Sequence, residues 1–148
     1  MDQDRTSVLV VAHQTAATSA LEEAVHERAM RSPATFHLLV PRRRRGGEQA
    51  ASPDDVGRQE ADEVLRDALP RLSRAAGGEV TGEIGGTEPL AAIKEALAVG
   101  DYKEVIISTL PLGVSKWLKE DLVARAEVLG PPVRHVLGRE SRLTAANS

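Results

Sequence analysis

The chain has 148 residues, 41% hydrophobic and 28% charged, which suits one globular domain with a core of ordinary size. A formal net charge of −3 and a single Phe, Tyr and Trp argue against nucleic acid as a partner, because a phosphate backbone calls for surplus Lys and Arg and single strands for stacking platforms. Cysteine is absent, which excludes a disulfide framework and a thiolate nucleophile; with a polar start and no apolar run near the roughly 18 residues of a membrane span, the expectation is a soluble cytoplasmic protein.

Residues 7–12, Ser-Val-Leu-Val-Val-Ala, form a continuous β-branched and apolar run, the pattern of a strand buried on both faces. After a turn, Ser19 with Glu22 three residues later reads as a capping box, and Leu21, Val25 and Ala29 keep helical spacing to about Arg31. Residues 36–40 are a second short strand, closed by Pro41. A loop rich in Arg and Gly then leads to Ser52 as N-cap and Pro53 at N1 of a long helix. Its stripe is Ala61, Val64, Leu65, Ala68, Leu72 and Ala75, with a kink or a split-off last turn expected at Pro70 and an end at Gly77-Gly78.

Alternation over residues 79–84 predicts a less buried strand at a sheet edge. Thr87 is placed as the cap of the next helix, which turns Leu90, Ile93 and Leu97 inward and stops at Gly100. A fourth strand covers 105–107. Past a loop, Ser115 is placed as the cap of a helix with Leu118, Leu122, Ala126 and Leu129 buried, and 133–137 is the fifth strand. The tail 138–148 carries no pattern and is expected to be disordered. Strands alternating with helices specify a three-layer α/β sandwich around a mostly parallel, five-stranded, Rossmann-like sheet, as one domain over 7–137.

In such a sheet ligands settle outside the carboxyl ends of the strands, so candidate site residues are those at the strand ends. His13 follows the first strand and can donate to a ligand, although with no nucleophile at a fixed spacing it reads first as a polar cap. Arg42, Arg43, Arg44 and Arg45 follow the second strand, where guanidiniums can meet an anion or simply solvate a loop. Ser108, Thr109 and Ser115 are hydroxyls near the fourth strand's end, without the Gly-x-Ser-x-Gly elbow that nucleophilic catalysis would use. Trp117 beside Leu118 reads as packing. His37 and His135 interrupt strands and read as hydrogen-bonded packing residues, His26 as exposed, and no spacing among the four histidines suggests a metal site.

The βαβαβαβαβ order, the β-branched first strand, the Gly85-Gly86-Thr87-Glu88-Pro89 helix entry and the Gly113-Val114-Ser115 loop together resemble the universal stress protein family. The resemblance spans 7–137 and implies a sheet order of 3-2-1-4-5, dimerisation through the fifth strand (Val133, His135, Val136, Leu137) and, in many members, ATP binding. ATP-binding members carry an acidic residue after strand one and a three-glycine motif after strand four. Here Ala12-His13-Gln14-Thr15 follows strand one, and Gly113 is the only glycine between Asp101 and Leu129. Glu120 and Asp121 stand near where the motif would close, and carboxylates there would repel a triphosphate.

The sequence therefore leads to a non-enzymatic, universal-stress-protein-like regulatory homodimer that acts by binding a protein partner or a small ligand, does not bind ATP in the family's usual manner and carries no resident cofactor. The alternative is a nucleotide- or phosphate-binding sensor that uses the Gly113-Val114-Ser115 loop and the Arg42 to Arg45 loop; the candidate binding residues are His13, Arg42, Arg43, Thr109, Gly113, Val114 and Ser115, and ATP or another adenine nucleotide is the candidate ligand. A nucleotide-dependent hydrolase or transferase ranks third.

Overall fold

A computed structural model describes residues 5–42, 53–110, 117 and 121–137. The elements are β1 (Thr6–Val11), α1 (Ser19–Arg31), β2 (Ala34–Pro41), α2 (Pro53–Ala76), β3 (Thr81–Gly85), α3 (Pro89–Val99), β4 (Glu104–Thr109), α4 (Leu122–Glu127) and β5 (Val133–Leu137). The strands form one sheet in the order β3-β2-β1-β4-β5, with every neighbouring pair parallel. This is a three-layer, Rossmann-like α/β fold.

The uninterrupted apolar run of β1 follows from its central place. Val8 and Val10 join a core with Leu21 and Val25 of α1, Leu65 and Leu72 of α2, and Phe36 and Leu38 of β2. Leu9 and Val11 point the other way, into a core with Ala92 and Ile93 of α3, Val105 and Ile107 of β4, and Leu122 and Ala126 of α4. Successive side chains of a strand face opposite layers, so a strand flanked by two helical layers must be apolar at every position. Trp117 packs, partly buried, against the second core.

At the sheet's N-terminal edge, Arg28 near the end of α1 is 4% exposed and makes a two-pronged ion pair with Glu104 at the start of β4, Nε to Oε1 at 2.7 Å and Nη2 to Oε2 at 3.0 Å. Its Nη1 donates to the Ser32 carbonyl and hydroxyl at 3.3 and 3.1 Å. A buried guanidinium is tolerated only when its donors are met in this way.

Several local expectations are corrected. The cap of α1 is Thr18, whose hydroxyl accepts from the Leu21 amide at 3.4 Å, while Ser19 is already helical. Glu22 lies 3.4 Å from Arg71 of α2. The residue before α3 is Glu88, not Thr87, and it makes no side-chain cap bond. Strand β2 is longer than its apolar run and takes in Pro41, which pairs with Gly85 of the edge strand.

Helix α2 runs as one element through Pro70 without splitting. Pro70 and Arg66 are both exposed, so water can meet the carbonyl that the missing N–H leaves. Gly77, at φ 75°, then ends the helix as expected, with its amide and that of Gly78 bonded back to the Ser73 carbonyl.

The last helix departs most. Asp121 takes a left-handed conformation at φ 57°, which short polar side chains tolerate, and α4 begins only after it. The single long helix expected from Ser115 is thereby interrupted. Leu122 and Ala126 keep their buried places. Ser52, Arg43, Arg44, Arg45, Gly113, Val114, Ser115, Leu118, Glu120 and the tail 138–148 lie outside the described residues.

Candidate functional site at the carboxyl edge of the sheet

The chain leaves β1 through a tight turn. The His13 carbonyl accepts from the Ala16 amide at 3.1 Å, and the Thr15 carbonyl accepts from the Thr18 amide at 3.2 Å and the Thr18 hydroxyl at 2.8 Å. The turn brings His13, Gln14 and Ala17 opposite Glu60, Glu63, Val64 and Asp67 of α2, and these seven residues line a pocket of about 350 Å³. That volume falls in the range of small-ligand sites. His13 is 8% exposed, so it forms part of the buried wall and not a projecting arm.

Glu60, Glu63 and Asp67 recur at i, i+3 and i+7, which puts three carboxylates on one helical face. In sequence this face is indistinguishable from a solvated one, and only the packing of α2 against the β1–α1 turn shows that it borders a pocket. A phosphate held about 4 Å from a carboxylate meets repulsion of about 1–4 kcal/mol per pair. The acidic residues that border this pocket come from α2. Of the two expected after strand four, Asp121 is exposed and is not among the pocket's lining.

The hydroxyls at the strand ends are bonded to one another and to a histidine. Thr15 Oγ1 and Ser108 Oγ lie 2.6 Å apart, both about fully buried, and join the β1–α1 turn to the end of β4. Thr109 is 2% exposed and its Oγ1 lies 2.7 Å from His135 Nε2 on β5. No local sequence pattern marks Thr15 and His135 as site-edge residues, because their partners stand 93 and 26 positions away.

Arg42 is half-buried and clamps the end of β3. Its Nε donates to the Gly85 carbonyl at 3.2 Å, and its amide faces the carbonyls of Gly85 and Gly86 at 3.1 Å. Of the residues expected to form a site, the structure thus places His13 in the pocket, turns Thr109 toward β5 and uses Arg42 to tie two strands. Arg43, Gly113, Val114 and Ser115 lie outside the described residues. Among the described residues no group of three or more His, Asp or Glu side chains is placed to hold a metal ion, and no helix is long and apolar enough to cross a membrane.

No family model and no curated protein matches the chain. Solved structures do. A universal stress protein from Archaeoglobus fulgidus superposes with a TM-score of 0.64 at 16% identity, over 91% of this chain and 96% of that one. The fold is that of the universal stress proteins. A universal stress protein in complex with cAMP gives a TM-score of 0.63 at 17% identity, over 92% of this chain and 99% of that one. A universal stress protein family protein from Arabidopsis thaliana with AMP bound gives 0.57 at 15%, over 93% and 94%. With the universal stress protein fold in place, the 3-2-1-4-5 order that the resemblance implied is confirmed.

Proposed function

We propose that this chain is a diverged member of the universal stress protein family, a non-catalytic regulatory domain in stress response that does not hold ATP in the family's usual manner. The observation that carries the reading is the wall of Glu60, Glu63 and Asp67 across the pocket from His13, where a triphosphate would meet like charge that Arg71, 3.6 Å from Asp67, offsets only in part. The pairing of Thr15 with Ser108 and of Thr109 with His135 supports it, since those hydroxyls would have to exchange existing bonds for ligand bonds. Mass spectrometry of gently purified protein tests it: no ATP should be retained, and stoichiometric ATP would contradict the reading.

A second reading has support from the neighbours solved with cAMP and with AMP, which put a smaller adenine nucleotide in the same fold. A single phosphate meets less repulsion than three, and the pocket volume suffices. Titration with AMP and cAMP distinguishes the readings, because saturable, salt-dependent binding that His13→Ala, in the pocket wall, weakens favours the second.

We also propose a homodimer through β5. It is an edge strand in the sheet, which leaves a row of backbone groups available for pairing. Leu137 is 41% exposed and His135 is exposed, whereas Val136 is 8% exposed in the first core and would contribute through its backbone alone. Leu137→Arg is therefore the suitable test variant. Sedimentation should show a dimer for the native chain and a monomer for the variant; a native monomer at micromolar concentration would overturn the proposal.

A further inference from the structure

Away from the pocket, on the α3 and α4 side of the sheet, a hydroxyl, an imidazole and a carboxylate line up across β2 and β3. His37 pairs with Thr81 in parallel register, and Leu39 with Glu83. His37 shares the face of Leu39, which lies in the second core, and Thr81 and Glu83, two residues apart, share one face of β3. Thr81 Oγ1 lies 2.6 Å from His37 Nδ1, and Glu83 Oε2 lies 3.5 Å from His37 Nε2.

The two contacts select one tautomer. A carboxylate facing Nε2 favours the proton there, which leaves Nδ1 with its lone pair toward the Thr81 hydroxyl. Tyr102 stacks loosely beside the His37 ring, with centroids 6.2 Å apart and planes inclined by 26°. Burial, and then the nearby Glu83 carboxylate, push the Tyr102 phenol above its ordinary value, so it stays neutral beside the imidazole. Thr81 itself is exposed, as is Glu83, so a reagent can reach the hydroxyl. A hydroxyl against a base that a third group orients is the arrangement that activates a side-chain nucleophile.

We propose that Thr81 is a covalent acceptor site, acylated by activated esters with His37 as its general base. In the step, Thr81 Oγ bonds to the acyl carbon and its proton passes to His37 Nδ1. The bond from the acyl carbon to the aryloxide oxygen breaks, and the aryloxide takes the proton from His37. The product is an ester on Thr81 and a free phenol, with no change in oxidation state. This site is separate from the carboxyl-edge pocket and does not depend on what that pocket holds.

The test treats the full native chain with p-nitrophenyl acetate, follows nitrophenol release, and maps the acetyl group by peptide mass spectrometry. One acetyl on Thr81 is expected, absent from Thr81→Val, whose β-branched side chain suits a strand, and formed about a hundredfold more slowly in His37→Gln. Native protein whose acetyl groups lie only on lysines or the N-terminus overturns the proposal, whether or not the variants fold. Acetylation of Thr81 in a folded His37→Gln less than about tenfold slower than native overturns the role of His37.

Discussion

Replacing Arg28 by Met keeps most of the side chain's volume while removing the guanidinium from between α1 and β4. Four hydrogen bonds are lost, two to Glu104 and two to Ser32. Glu104, with its side chain 28% exposed, is left as a carboxylate without its cation. Removing one partner of a fully buried pair costs about 3–5 kcal/mol, and the partial access of water to Glu104 lowers this to about 2–3 kcal/mol. For a chain of this length that corresponds to a fall in Tm of about 4–12 °C. Circular dichroism against temperature, with urea unfolding as a second measure, reads the effect. Arg28→Met with Glu104→Gln should recover about 1 kcal/mol of the loss, because the uncompensated carboxylate is gone. A single variant within about 0.5 kcal/mol of native, or a double variant no better than the single, would refute the reasoning.

Three further outcomes rest on separate features. Thr18→Ala should cost about 1 kcal/mol in urea unfolding while Ser19→Ala stays near neutral, since only the Thr18 hydroxyl caps α1. Gly82→Ala should cost about 1–3 kcal/mol in the same assay, because a Cβ there would come within 2.7 Å of Leu65 Cδ2 and 3.3 Å of the Leu38 carbonyl. Tyr102, the only tyrosine, should titrate above its ordinary 10.0 in tyrosinate absorbance, through burial first and Glu83 second. A raised folded value means that the stability it contributes is fully present below pH 10.0 and lost as pH rises through the folded value. Tyr102→Phe should therefore flatten the alkaline limb of the stability profile.

What was legible in the sequence was whatever depends on burial at regular spacing. The run Val8 to Val11 announced a central strand, since only a strand covered on both sides is apolar at each position, and the weaker alternation before Gly85 marked β3 as an edge. Choices between neighbouring polar residues were not legible. Thr18 and Ser19 both carry a capping hydroxyl, and the turn built on the Thr15 carbonyl decides between them. The left-handed Asp121 gave no signal either, because Asp is equally at home before a helix and inside a charged stretch.

The site divided along the same line. His13 was found because a strand end is a position in the sequence. The Glu60, Glu63 and Asp67 wall was missed because a charged helical face looks alike whether it meets solvent or a pocket. Likewise the apolar flanks of His37 and His135 imply hydrogen-bonded imidazoles, but their partners Thr81 and Thr109 are set by strand register.

We propose that the carboxyl-edge pocket, bordered by Glu60, Glu63 and Asp67, does not take up ATP. Equilibrium dialysis of the native chain against ATP with Mg²⁺ at low ionic strength tests it most directly. No saturable binding up to about 1 mM is expected, which is to say no more than about 4 kcal/mol of affinity. Saturable binding well below that concentration would contradict it.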